Sequence, residues 1–117
     1  MVALPGSGTY AFDACIPCNA QTGTNGAQFG AQFSGTTTSL ECECLGNQSG
    51  VTLVTRITAK NTAGGVVCNV SAVDWMVRIT GLVIVTTSGN FSIQALKVTS
   101  QTLFIRPGSF VILNKIA

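Results

Sequence analysis

From Ser39 to the end of the chain, apolar and polar residues alternate with a period of two, and that rhythm excludes most folds. A period of two sends successive side chains to opposite faces of an extended strand, whereas a helix buries one stripe at a period of 3.6. In Leu40-Glu41-Cys42-Glu43-Cys44, the leucine and both cysteines point one way and both glutamates the other. Val51, Leu53, Ile57 and Ala59 oppose Thr52, Arg56, Thr58 and Lys60. The longest extended run lies within Asp74 to Thr87, with Val77, Ile79, Val83 and Val85 on one face. Leu82 and Ile84 lie on its other face, so its second half is expected to be covered on both sides. Gly81 predicts a bulge or bend there. Phe91, Ile93 and Ala95 face inward, Leu103 to Arg106 is a short strand, and Phe110, Ile112 and Ile116 share a face of the last one.

Turn residues punctuate these runs. Gly46-Asn47-Gln48-Ser49-Gly50, Asn61 to Gly65 and Pro107-Gly108 read as turns, and Ser88-Gly89-Asn90 as a hairpin. Val66 to Val70 reads as a further short strand. No segment carries caps and apolar residues at helical spacing. Seven or eight short strands at this spacing predict an all-β, jelly-roll-like antiparallel β-sandwich. Residues 1–38 differ: Gly, Ser, Thr, Asn and Gln dominate, above all from Asn19 to Gly35. They are read as a loop-rich N-terminal segment pinned by Phe29 and Phe33, either an arm on a neighbour or strand and loop packed on its own domain. Residues 39–117 are then the sandwich core of a one-domain chain.

Charge limits what such a domain can meet. Charged residues make up 9% of the chain, against about 25% in ordinary domains. With a net charge of +2, copies repel one another little, which favours association. Arg56, Lys60, Arg78, Lys97, Arg106 and Lys115 are spread apart, so no basic patch addresses nucleic acid. The start, Met1 to Gly8, lacks the basic and apolar regions of a secretory signal, and Leu82 to Val85 is too short to span a membrane. The expectation is synthesis in a cytoplasm, with no membrane partner.

Catalytic chemistry finds little material. Histidine is absent, which removes the usual general base and the commonest metal ligand. The carboxylates are Asp13, Glu41, Glu43 and Asp74. Glu41 and Glu43 share a strand face about 7 Å apart. They are read as a solvated face in preference to a glycosidase pair or a hard-cation site. No phosphate-binding loop is present, so the expectation is no enzyme and no cofactor. Five cysteines stand out: Cys15 and Cys18 as C-x-x-C, Cys42 and Cys44 as C-x-C, and Cys68 alone. Cys15, Cys18, Cys42 and Cys44 form a conceivable zinc set, although C-x-C on a strand spreads its thiols wide for one ion. A redox site needs a helix N-terminus, and disulfides need an oxidising medium. Buried apolar thiols are the preferred reading. Trp75 is a natural interface anchor, and Arg106 and Lys115 are candidates for ion pairs between subunits; with Phe29 and Phe33 they complete the candidate contact residues.

The C-terminal third resembles a known family. Gly81-Leu82-Val83-Ile84-Val85-Thr86-Thr87-Ser88-Gly89-Asn90-Phe91-Ser92-Ile93-Gln94 is followed by Thr102-Leu103-Phe104-Ile105-Arg106-Pro107-Gly108-Ser109-Phe110 and Leu113-Asn114-Lys115-Ile116. This is similar to the ending of small phage jelly-roll domains, found in capsid decoration (cement) proteins and in tail or fibre modules. It departs from them at Leu96-Lys97. The resemblance implies a virion structural protein, commonly a homotrimer, whose partners are the major capsid protein and its own copies. Its alternative is a tail-fibre or tail-tip module binding a receptor or carbohydrate; a cysteine-based zinc domain is the further alternative.

Overall fold

The computed structural model describes residues 1–20, 27–48, 51–65, 67, 75–97 and 103–117. Ten strands follow one another: β1 (Val2–Leu4), β2 (Gly8–Ala20), β3 (Ala27–Phe33), β4 (Thr37–Gln48), β5 (Val51–Ile57), β6 (Thr62–Ala63), β7 (Trp75–Val85), β8 (Gly89–Lys97), β9 (Leu103–Ile105) and β10 (Phe110–Lys115). Among the described residues there is no helix. Strands β1-β8-β3-β6 form one sheet and β10-β2-β7-β4-β5 the other, with β9 also on β2. Every pairing is antiparallel. The order 1-8-3-6 facing 2-7-4-5 is the double Greek key of a jelly roll.

The N-terminal segment is not loop-rich. Residues 1–38 hold three strands, and β2 is central to its sheet, with β7 on one side and β9 and β10 on the other. Tyr10, Phe12, Ala14, Ile16 and Cys18 are buried, while the residues between them are half-exposed. The alternation is there, but written in small residues that composition hides. In β3 the same holds for Ala27, Phe29, Ala31 and Phe33. Gln28 and Gln32 between them donate to the Gly64 carbonyl at 3.0 Å and to Gln94 Oε1 at 2.9 Å. The sandwich therefore includes residues 1–38 and does not begin at 39.

Ser88-Gly89-Asn90 does not close a hairpin, because β7 and β8 lie in different sheets. The chain turns a corner there, beside the corner through which β3 passes to β4. Thr86 N–H donates to the Thr36 carbonyl, and Thr36 N–H to Thr87 Oγ1, both at 2.9 Å. Gly35 and Gly89 meet backbone to backbone: a Cβ on Gly89 would stand 2.4 Å from the Gly35 nitrogen. Gly81 marks another close approach, since its Cβ would lie 2.3 Å from Cys42 Cβ and from the Glu41 carbonyl oxygen. Strand β7 runs on through it, and the bulge falls in β4 between Thr37 and Ser39.

The core lies between the sheets and is built from Phe12, Phe29, Phe33, Ile79, Val83 and Phe91, among others. Phe12 and Phe91 meet across it with ring centroids 4.9 Å apart. Burying each such side chain stabilises by about 1.5–3 kcal/mol. The C-terminal strands run end to end along one edge of β2. Between them stands Pro17, which has no N–H to donate. Its carbonyl accepts Arg106 N–H at 2.8 Å, and the chain steps out through Pro107 and Gly108 (φ 96°) before rejoining β2. Of the expected strand at Val66 to Val70, only Val67 is among the described residues, and it is buried. Cys68 and Asp74 lie outside them.

Candidate functional site

The outer face of the larger sheet gathers exposed apolar and charged side chains. Cross-strand register sets its rows. One runs Phe110–Cys15–Arg78–Leu45–Val54, the next Ile112–Asp13–Thr80–Glu43–Arg56, and the third Asn114–Ala11–Leu82–Glu41. Large apolar residues stand exposed on it: Val54, Met76, Leu82, Ile84, Phe110 and Ile112. Leu82 and Ile84, at 44% and 39% exposure, correct the expectation that β7 is covered on both faces. The core covers one face only, because the second sheet packs on that side. Phe110 and Ile112 also share this outer face, while Val111 and Leu113 pack against the core.

The charges on this face are largely paired with each other. Arg78 reaches Asp13 at 2.9 Å, and Arg56 pairs with Glu41. Both pairs are solvent-exposed, so each contributes about 0–1 kcal/mol to folding. Asp13, Glu41 and Glu43 stand against Arg56 and Arg78 on this face, so one acidic charge is left over. Glu41 and Glu43 line a depression of about 370 Å³ together with Arg56, Thr80 and Leu82. Arg56 lies opposite Glu43 in register and pairs with Glu41, so one cation serves two acids on this solvated strand face.

The cysteines separate. Residues 15 and 18 are an odd number of positions apart on one strand, which sends Cys15 to the half-exposed outer face and Cys18 into the core. No single ion can sit on both sides of a sheet. Cys42 and Cys44 both point inward and are buried, as their spacing predicts. Cys42 Sγ donates to the Ile57 carbonyl at 3.6 Å. Burial, with the Glu41 carboxylate adding to it, raises the Cys42 thiol from 9.0 to about 11. Burial and the neighbouring Cys42 raise Cys44 to about 12. Both are neutral thiols and poor nucleophiles at neutral pH. Among the described residues, no three His, Cys, Asp or Glu side chains are grouped to hold a metal.

The contact residues expected from sequence scatter. Phe29 and Phe33 are buried in the core and offer no surface to a partner. Trp75 opens β7 opposite Cys18, and its side chain lies outside the described residues. Arg106 stacks over Phe104, its guanidinium carbon 4.9 Å from the ring centroid. Lys115 is exposed at the far end of β10, opposite Tyr10. Comparison with protein-family models, curated proteins and solved structures finds no match. The outer face itself escaped sequence reading because β2 joins β10 to β7 across it, and its Ala11, Asp13 and Cys15 look like loop residues.

Proposed function

We propose that the protein is a structural subunit of a virion, a capsid decoration protein that docks on a shell of capsid protein through the outer face of its larger sheet. The observation that carries this reading is that face: six large apolar side chains exposed on the same sheet surface as two ion pairs. Monomers seldom leave so large an apolar surface unpartnered. The C-terminal resemblance supplies the setting, and the low charge of the chain supports close contact between copies. Stabilisation would follow mass action. A subunit that binds the assembled shell and not its free parts contributes about 2.7 kcal/mol at a hundredfold excess over Kd.

The test is co-sedimentation with assembled shells of phage major capsid protein. The wild-type chain is expected to pellet with shells and to raise their melting temperature. Leu82→Glu with Ile112→Glu is expected to abolish both effects while leaving the circular dichroism spectrum unchanged. No co-sedimentation of the wild type, or binding indifferent to these substitutions, overturns the reading.

A further inference from the structure

We propose that the partner docking on the outer face of the larger sheet is a protein surface of apolar side chains around one Lys or Arg, and that this cation closes on Glu43. The inference rests on the reading of this face as a docking surface and names the chemistry the face would select.

All the acids among the described residues stand on this one face. Asp13, Glu41 and Glu43 share it with Arg56 and Arg78. Lys60 reaches the Gly35 carbonyl at the corner of the sandwich, Lys97 ends β8 in the other sheet, and Lys115 follows the inward row of Val111 and Leu113. A chain of net charge +2 thus turns its acids one way. Arg78 is bonded to Asp13 and Arg56 to Glu41. Glu43 is left over. It is exposed, and among the described residues it has neither a hydrogen bond nor an ion pair. Thr80, opposite it on β7, brings no charge. Arg106 stacks on Phe104 at the far end of β2, four residues along and three strands across, on the order of 20 Å away. Salt screens a charge over that distance.

Apolar side chains surround this acid. Glu43 lines a depression of about 370 Å³ with Arg56, Thr80 and Leu82, and Val54 stands exposed in the adjoining row. A partner that covers Leu82 and Val54 also strips water from Glu43. A carboxylate desolvated with no counter-charge opposes binding, so the apolar contact is favourable only when the partner brings a cation to that point.

The same charges argue against other occupants. With a second copy stacked face to face, a two-fold axis along the strands through β7 lays Asp13 of one copy over Glu43 of the other. An axis across the strands through that row lays each acid over its own mate. Nucleic acid and an anionic lipid surface both bring negative charge to a face with an acid to spare. An apolar protein surface with a single cation satisfies the leucine and the carboxylate together.

Glu43→Gln and Glu43→Lys test this, since position 43 is exposed and neither change touches the core. Both variants are expected to keep the urea midpoint of the wild type. With assembled shells of phage major capsid protein, the Gln variant is expected to bind roughly tenfold more weakly and to lose the salt dependence of the wild type, and the Lys variant to bind more weakly still. A probe independent of shells is octylguanidinium, titrated below its micelle concentration and followed by NMR. It is expected to shift the amide resonances of Glu43, Leu82 and Val54 in the wild type and not in Glu43→Gln, whereas octyl sulfate leaves them in place. Equal binding of the two amphiphiles, probe binding that survives Glu43→Gln, or shell binding indifferent to both substitutions overturns the proposal. A wild type that ignores shells yet seats the guanidinium at Glu43 sinks the decoration role alone. Shell binding abolished by Leu82→Glu with Ile112→Glu but unmoved at position 43 sinks the cation alone.

Discussion

At the scale of single residues, environment decides what each cysteine is. Cys42 and Cys44 share a strand face with the core, and desolvation holds their protons on. In the unfolded chain both would titrate near 9, so the folded state binds more protons between that pH and about 12. Their contribution to stability is full below pH 9 and is lost as pH climbs through 11 and 12. Urea midpoints are expected to hold level up to pH 9 and to fall above it, and replacing both cysteines with alanine should flatten that fall. Cys15 sits half-exposed on the outer sheet face instead. A thiol reagent at pH 8 should therefore label Cys15 in the native protein, and Cys42 and Cys44 only after denaturation, as peptide mapping by mass spectrometry would reveal. Equal native labelling of all three would contradict the burial described here.

At the scale of elements, the corners matter as much as the strands. The crossings from β3 to β4 and from β7 to β8 occupy one corner, and they fit because Gly35 and Gly89 have no side chains. Gly35→Val would set its Cβ 2.5 Å from the Ser88 and Thr87 carbonyl oxygens, a clash with backbone that cannot swing away. Overpacking of this kind costs about 1–3 kcal/mol. Urea denaturation should show a lowered midpoint with an unchanged slope. Gly6→Ala, where no heavy atom lies within 4 Å, is the control and should move the midpoint little. The same corner explains why Ser88-Gly89-Asn90 misled sequence reading. Small polar residues mark a change of direction, but whether the next strand pairs with the last or crosses to the other sheet depends on partners far along the chain. Thr36 is such a partner, about fifty residues away from Thr86 and Thr87.

At the scale of the whole molecule, scarce charge shapes how the protein meets others. The outer sheet face exposes large apolar side chains, and two of its three acids are already paired within the chain. Association through it should change only modestly between low and high salt, because few unpaired charges stand there for salt to screen. A steep loss of shell binding with added salt, followed by sedimentation velocity, would argue for charged contacts instead. The sequence by itself determined the strand class, through a period of two that no helix tolerates, and it determined the inward faces of β4, β7 and β8. It also determined that Cys42 and Cys44 lie side by side on a buried face. It did not determine that Gly8 to Ala20 is the spine of the larger sheet, because Ala, Cys and Asp become strand residues only when β7 and β10 pair with them. Nor did it determine which apolar residues stay exposed. Leu82 and Val83 are equally apolar in sequence, and only the packing of the second sheet on one side of β7 buries Val83 and leaves Leu82 exposed. Periodicity is a local property of the backbone, so sequence carries it. Burial is a property of what lies across the sheet, and that is set by tertiary contacts.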